Sequence, residues 1–255
     1  MSVWPRPNPD SRGHRALFGV LGPSTNTVVQ PDFDDMRPWG VTNHYSRIVV
    51  DDAKALCDAD FMAGTLEISR NTVDAVRGVL TCNPDYLVMG MSAVTFYGGA
   101  EGAAKWQKNI EDVAGLKLCM GSTAVVKAFE AHGGIKRIGL LSPYYPSANR
   151  EVANFLSDHG ISVVRDIPLQ CPSWTAIAQV PESTVRDAMH KLDGDDVDAL
   201  LQVGTNLSAV RFAAAAERWL NKPVIAINTA TYWAALRENG INDRIEGFGR
   251  LLEDY

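Results

Sequence analysis

Short apolar runs alternate with longer segments of helical periodicity along the whole chain. A short apolar run bounded by turn residues is typical of a buried strand, and apolar residues spaced three and four apart are typical of an amphipathic helix. The pattern predicts strands at 16–21, 45–50, 85–89, 117–120, 137–141, 162–166, 198–203 and 223–227. It predicts helices near 58–80, 101–113, 122–132, 147–158, 182–192, 207–220 and 230–238. Because strands alternate with helices, we expect an α/β fold with parallel sheets and helices on both faces.

The two halves of the chain resemble each other at their first strands. Residues 19–26 (Gly-Val-Leu-Gly-Pro-Ser-Thr-Asn) and 139–146 (Gly-Leu-Leu-Ser-Pro-Tyr-Tyr-Pro) each read as a strand, a proline and polar residues that open a helix. We therefore expect two similar α/β lobes, with the functional loops at the carboxyl ends of the strands and the site in the cleft between the lobes. The first lobe is predicted at 15–116 and the second at 117–228, with the tail 229–255 packed on the first.

A glycine ends a predicted strand in each half of the chain. Residues 87–92 (Leu-Val-Met-Gly-Met-Ser) and 201–206 (Leu-Gln-Val-Gly-Thr-Asn) both run from an apolar strand into glycine and then into hydroxyl or amide residues. A strand end that opens onto a helix presents unpaired backbone N–H groups, which suit an anionic ligand. The alternative is that both glycines serve only the geometry of tight turns.

Composition narrows the class of protein. The chain has 255 residues, 46% of them hydrophobic and 21% charged, which is enough to bury a core. Its net charge of −6 argues against nucleic acid or an anionic membrane as the main partner. Four cysteines form no CxxC pair and lie at no zinc-ligand spacing with histidine, so we expect no metal site and reduced thiols. Residues 1–14 lack the apolar stretch of a secretory signal, and we expect a cytoplasmic protein.

Several common chemistries lack their motifs in this sequence. It has no GxGxxG after a strand, no GxxxxGK[ST], no GxSxG and no HExxH, so we expect no cofactor. His132 and His159 precede glycines and read as helix C-terminal residues in solvent. Among the histidines only His44, just before the second predicted strand, is kept as a candidate site residue.

Six short motifs, collinear over almost the whole chain, are similar to segments of one known family. Residues 22–27 (Gly-Pro-Ser-Thr-Asn-Thr) resemble a segment of maleate cis–trans isomerases, and residues 89–99 resemble a segment of arylmalonate decarboxylase. Residues 122–125, 142–144, 205–207 and 247–251 extend the resemblance. The chain thus resembles the aspartate/glutamate racemase superfamily, in the branch of maleate isomerases and arylmalonate decarboxylases.

The resemblance implies two Rossmann-like lobes related by pseudo-twofold symmetry, which enclose a small dicarboxylate without a cofactor. In that family a cysteine ends the relevant strand in one or both lobes, and it acts as a proton donor or acceptor or as a nucleophile. Here Gly90 and Gly204 stand at the two cysteine positions. The family's usual thiol chemistry therefore cannot run in this chain, and an altered mechanism is expected.

The binding part of the implied site is retained. By resemblance, Ser24, Asn26 and Thr27 anchor one carboxylate, and Thr205 and Asn206 hold the other group. The resemblance also places Tyr144 and Ser92 at the reacting end, where Gly90, Met91 and Gly204 border the substrate. On this assignment, Asn26→Ala should raise the Michaelis constant about tenfold through loss of one charge-assisted hydrogen bond.

Three groups are candidates for the altered chemistry. Tyr144 is one candidate: it is either a general acid, with its anion stabilised by helix dipoles, or only a hydrogen-bond donor that positions the substrate. Ser92 has no neighbouring histidine in sequence and is assigned to hydrogen bonding of an oxyanion. Cys171 is a displaced nucleophile, in which case Cys171→Ser abolishes turnover, or an idle thiol. The apolar residues Met91, Phe96, Tyr97 and Trp174 form either a wall of the site or part of the core.

The sequence thus predicts a cofactor-independent isomerase or lyase that acts on a small carboxylic or dicarboxylic acid. One alternative is a hydrolase of a small cyclic amide or ester, with water held where the thiols are missing. Another is a catalytically inactive protein that binds an acid. The apolar helices are compatible with a homo-oligomer, and a small carboxylate is the expected partner.

Overall fold

A computed structural model of the chain describes residues 10–52 and 57–255, and it contains two four-stranded parallel sheets. The first sheet has the order β2-β1-β3-β4 and the second the order β6-β5-β7-β8. The strands are β1 (Ala16–Pro23), β2 (Val41–Ile48), β3 (Tyr86–Met89), β4 (Leu118–Cys119), β5 (Arg137–Ser142), β6 (Ser162–Pro168), β7 (Ala199–Gln202) and β8 (Val224–Ala226). The expectation of an α/β fold built on two parallel sheets is confirmed.

Helices cover both sheets. They are α1 (Val29–Asp35), α2 (Asp58–Leu80), α3 (Gly99–Ala114), α4 (Gly121–Ala131), α5 (Pro146–Asp158), α6 (Glu182–Leu192), α7 (Val210–Leu220), α8 (Ile227–Glu238) and α9 (Arg250–Asp254). Two 3₁₀ segments, Ala93–Phe96 and Ala176–Gln179, lie in the loops after β3 and β6. Within the described ranges, no helix is both long and apolar enough to cross a membrane.

The two sheets are equivalent in strand order, which places matching loops opposite each other. In each lobe the first strand in sequence, β1 or β5, is central and pairs with the second and third strands. β1 is buried over its whole length, as expected of a strand covered on both faces. Because all the strands in a sheet are parallel, the loops after β1 and β3 lie at one edge of the first sheet, and those after β5 and β7 at the corresponding edge of the second.

The boundary predicted after residue 116 is wrong for one strand. It assigned 117–120 to the second lobe, whereas β4 pairs with β3, Leu87 with Leu118 and Val88 with Cys119. Backbone pairing decides sheet membership, and the first sheet therefore continues to Cys119. From the tail, α8 packs against α1 and α4.

Two elements differ from the predicted pattern. β2 begins at Val41, before the predicted start at residue 45. The apolar pattern misses the first residues because the middle of this edge strand is half-buried and largely polar. Helix α1 is the helix that the polar residues at the end of 19–26 were predicted to open; the periodicity gave it no range, since it has only seven residues and follows β-branched positions. The prediction that residues 1–14 are not a secretory signal falls mostly on residues 1–9, which lie outside the described residues.

Candidate active site

A small cavity lies between the two lobes, at the facing carboxyl ends of both sheets. Its lining comes from the loops after β1, β3, β5 and β7, with additions from α2 and from the loop between β6 and α6. The lining residues are Pro23, Thr25, Asn26, Ile68, Met91, Ser92, Ala93, Tyr144, Trp174, Ile177, Gly204, Thr205 and Asn206. The cavity encloses about 30 Å³, enough for one or two water molecules. A dicarboxylate therefore requires the walls to move apart.

Ser92, Tyr144 and Gly204 form a hydrogen-bonded group across the cavity. The Tyr144 hydroxyl lies 2.7 Å from Ser92 Oγ. The backbone N–H of Gly204 donates to the same Ser92 Oγ at 3.1 Å. Ser92 comes from the first lobe and the other two residues from the second. The group therefore brings into contact Ser92 and Tyr144, the two residues predicted at the reacting end.

Burial raises the pKa of Tyr144 above its usual value, and the Ser92 hydrogen bond offsets only part of that rise. The expectation that the pKa of Tyr144 is lowered is therefore wrong in direction. Desolvation of the charged form is the largest cause, because the phenol is 97% buried between the lobes. Tyr144 is a neutral phenol at physiological pH, able to donate a proton but not to accept one.

Thr205 of the second lobe is held by residues of the first lobe. Its hydroxyl donates to the Gly90 carbonyl at 2.9 Å and accepts from Asn26 Nδ2 at 2.9 Å. Next to it, Asn206 Oδ1 accepts the Thr27 backbone N–H at 3.0 Å, and Asn206 Nδ2 donates to the Trp174 carbonyl at 2.9 Å. The polar side chains predicted to bind substrate thus bind one another across the cleft.

Backbone donors complement these side chains. Among the described residues, the N–H groups of Met91, Thr205 and Asn206 reach no hydrogen-bond acceptor, and all three residues line the cavity. The lining contains no arginine, lysine or histidine. An anion in this cavity would be held by neutral donors from both lobes rather than by a countercharge.

Some predicted site residues lie outside the cavity. The Ser24 hydroxyl is bonded to the backbone of Val50, at 3.2 Å from its carbonyl oxygen and 3.1 Å from its nitrogen. Thr27 contributes its backbone N–H to Asn206 but does not line the cavity, and neither does Gly90. His44 lies on β2 and is bonded to Thr42 at 2.9 Å, away from the lining residues.

Cys171 is buried but does not reach the cavity lining. Burial raises the pKa of its thiol to about 11, so the thiolate is scarce at neutral pH. These surroundings do not support a nucleophilic role. The structure favours the other reading of this residue, an idle thiol in the core.

The apolar wall is only partly the predicted one. Met91 and Trp174 line the cavity, whereas Phe96 packs edge-on against Phe155 in the core and Tyr97 is bonded to Met62. Sequence reasoning missed the other lining residues, which are Pro23, Thr25, Ile68, Ala93 and Ile177. Thr25 could have been predicted from the sequence, since it lies inside the motif at 22–27. Ile68 and Ile177 carried no signal, because they come from a long amphipathic helix and a distant loop.

Two equivalent parallel sheets, which close over a neutral, donor-lined cavity, define a two-lobed α/β protein with a cavity at its centre. Residues 62–252 match the family model described as arylmalonate decarboxylase, and the chain belongs to that family. The resemblance found in the sequence is thereby confirmed.

Relatives with assigned names are distant but span nearly the whole chain. The arylmalonate decarboxylase of Bordetella bronchiseptica is 26% identical over 227 residues, which cover 81% of this chain and 92% of that protein. The maleate isomerase of Pseudomonas putida is 24% identical over 247 residues, which cover 92% and 96% of the two chains. Both relatives are enzymes, one a lyase and the other an isomerase.

Solved structures show the same fold. A Nocardia farcinica maleate cis–trans isomerase, a mutant with a covalently bound succinylcysteine intermediate, gives a TM-score of 0.84 at 20% identity, over 94% of this chain and 99% of that one. A liganded arylmalonate decarboxylase, in which one glycine is changed to cysteine and one cysteine to serine, gives 0.78 at 21% identity, over 94% and 100%. At these identities the likeness concerns the fold alone.

Proposed function

We propose that this protein is a cofactor-independent lyase or isomerase that acts on a small carboxylic or dicarboxylic acid, and that it works without the cysteines of its family. The observation that carries the proposal is the contact of 2.7 Å between Tyr144 and Ser92 beside the neutral donors of the cavity. A buried neutral phenol next to an anion-binding surface suits protonation of a carbanion.

Decarboxylation needs little more than this arrangement. As the bond between the α-carbon and one carboxylate breaks, CO₂ leaves and the electron pair remains on the α-carbon, delocalised into the other carboxylate as an enediolate. The backbone N–H groups of Met91, Thr205 and Asn206 are donors for this developing charge. Tyr144 transfers its proton to the α-carbon, the Ser92 hydroxyl donates to the resulting phenolate, and water returns the proton.

Lyase chemistry fits the cavity better than isomerisation by thiol addition. That isomerisation needs a nucleophile that bonds to the substrate, and the residues that line the cavity include no cysteine. Proton donation to an enediolate needs only an acid, which Tyr144 supplies. The apolar side of the cavity, formed by Ile68, Trp174 and Ile177, suits an acid with an apolar substituent on its α-carbon.

Proton NMR in deuterated buffer tests the proposal with substituted malonates, maleate, aspartate and small cyclic imides. We expect one acid to lose CO₂ and gain deuterium at its α-carbon. Tyr144→Phe should lower kcat by about 10² to 10⁴, the usual contribution of a positioned general acid. Tyr145→Phe is the matched control, because Tyr145 also packs on Phe61 but does not line the cavity. Equal turnover by the two variants would remove Tyr144 from the mechanism.

A second candidate is a protein that binds an acid without converting it. The observation that favours it is that the cavity keeps neutral donors for an acid while its lining has no cysteine. Broadened substrate signals with no conversion of any tested acid would establish this function instead. Conversion of a cyclic imide alone would indicate the hydrolase.

A further inference from the structure

Asn228 connects the cavity to a carboxylate outside it. The residue opens helix α8 and is 2% exposed. Its Nδ2 donates to Asp32 Oδ2 at 2.8 Å and to the Thr205 carbonyl at 3.0 Å. Both partners are acceptors, so only the NH₂ end of the amide can face them. The other end, Oδ1, is buried and has no hydrogen-bond partner among the described residues.

Thr205 is therefore fixed at two points by groups anchored on helix α1. The Thr205 hydroxyl accepts from Asn26, whose Oδ1 accepts the N–H groups of Val28 and Val29 at the start of α1. The Thr205 carbonyl accepts from Asn228, which is bonded to Asp32 on the same helix. The connections form a closed ring from α1 through Thr205 and back to α1.

Burial of the Asp32 carboxylate, which belongs to this ring, costs free energy of folding. Burial raises the pKa of its carboxyl to about 6, although the bond from Asn228 lowers it. Asp35 on the same helix raises the pKa further and Arg211 on α7 lowers it. The phenols of Tyr45 on β2 and Tyr232 on α8 also face this region and stay neutral, because burial raises their pKa values. A partly buried carboxylate destabilises the fold at neutral pH, and such groups occur where they serve a function.

We propose that Asn228, oriented by Asp32, is a positioning residue that fixes Thr205 at the cavity. The carboxylate holds the amide with its NH₂ end toward the Thr205 carbonyl. With its carbonyl and hydroxyl both held, Thr205 keeps its backbone N–H, and that of Asn206, at the cavity wall. The kinetic part of this inference rests on the proposed function, whereas the ordering of the loop does not.

The test is hydrogen exchange at the Thr205 and Asn206 amides combined with steady-state kinetics on the acid that the NMR screen identifies. Asn228→Leu keeps the volume but removes both hydrogen bonds. We expect at least about tenfold faster exchange at both amides and an increase in KM of about fivefold to tenfold. Thr231→Val is the matched control, since the hydroxyl of this buried residue bonds, among the described residues, only within α8, to the Ile227 carbonyl. It should leave both measurements within about twofold of wild type.

The conservative variant Asp32→Asn separates positioning from general stability. It keeps an acceptor oxygen for Asn228 but removes the charge, so exchange at pH 8 should lie between that of the wild type and that of Asn228→Leu. In the wild type, exchange corrected for its intrinsic pH dependence should rise as the pH falls through about 6, where Asp32 loses its charge. That rise should be missing in Asp32→Asn.

Equal effects of Asn228→Leu and Thr231→Val on exchange would overturn the inference, as would an unchanged pH response in Asp32→Asn. If the wild type converts no acid, the proposed function fails while the exchange measurements still decide whether Asn228 positions the loop.

Discussion

Gly90 and Gly204 follow equivalent strands, and a side chain would be tight at Gly90 but would clash at Gly204. At Gly90 a Cβ would lie 3.1 Å from the Leu21 carbonyl oxygen and 3.4 Å from the Val29 methyl groups. At Gly204 it would lie 2.4 Å from Pro143 Cδ, and the backbone φ of +99° disfavours any side chain. The glycine at the second site is therefore required by the local backbone.

A prediction at this scale compares Gly90→Cys with Gly204→Cys. We expect Gly90→Cys to fold with a loss of about 1 kcal/mol and Gly204→Cys to lose about 3 kcal/mol or more, through backbone strain and overlap with Pro143. Urea unfolding measures both values. Equal losses would show that the loop after β7 rearranges freely, contrary to its hydrogen bonds with Ser92 and Gly90.

At the scale of elements, the seven-residue helix α1 depends on one side chain. Asn26 Oδ1 accepts two backbone N–H groups at the start of this helix, at 3.0 and 2.9 Å. The same side chain donates to Thr205 in the other lobe. A helix this short is not stable by itself, so its cap and its packing against α8 hold it in place.

Asn26→Ala should therefore do more than weaken substrate binding. We expect the tenfold increase in the Michaelis constant predicted from the sequence, together with a loss of about 2 to 3 kcal/mol in the free energy of unfolding. Asn71→Ala, a half-buried asparagine on α2 whose solvent-exposed hydrogen bond goes to the Val49 carbonyl, is the control and should cost less than about 0.5 kcal/mol. An unchanged stability in Asn26→Ala would contradict the capping role.

For the whole molecule, two partly buried groups give opposite dependences of stability on pH. His132 lies against Tyr255 with its ring centroid 4.8 Å away, and burial lowers its pKa to about 4. The prediction that this histidine lies at a helix end is confirmed, but its placement in solvent is wrong because the C-terminal Tyr255 packs against it. The pKa of Asp32 is shifted the other way, to about 6.

The sign of each pH dependence follows from whether the folded or the unfolded state binds the proton more tightly. Below about pH 6.5 the unfolded chain protonates His132 while the folded protein does not, so stability falls as the pH drops toward 4. Asp32 instead binds its proton more tightly in the folded state, so its contribution is lost as the pH rises from about 4 through 6.

Chemical denaturation of the wild type and of His132→Gln between pH 8 and 5 tests the loss of stability assigned to His132. The wild type should lose about 1 kcal/mol more than the variant over this range, a value reduced for the partial exposure of the ring. Measurements at pH 8 serve as the reference, because His132 is neutral there in both states. Parallel curves for the two proteins would show that His132 is not desolvated.

The sequence by itself determined the architecture and the centre of the site. Alternating apolar runs and helical segments are local patterns, and they located all eight strands and the two glycine ends. The resemblance to the family placed Ser92, Tyr144, Thr205 and Asn206 at one site, which agrees with the rule that parallel strands bring their carboxyl ends to the same edge.

Only the tertiary structure decided how those residues interact. Asn26 and Thr205 are 179 positions apart, and no local pattern shows that they bond to each other or that Asp32 reaches Asn228. The edge strand β4 joined the first sheet through backbone pairing that composition does not encode. The neutral state of Tyr144 and the isolation of Cys171 follow from burial. Burial depends on every element packed around a group, and therefore on the complete fold.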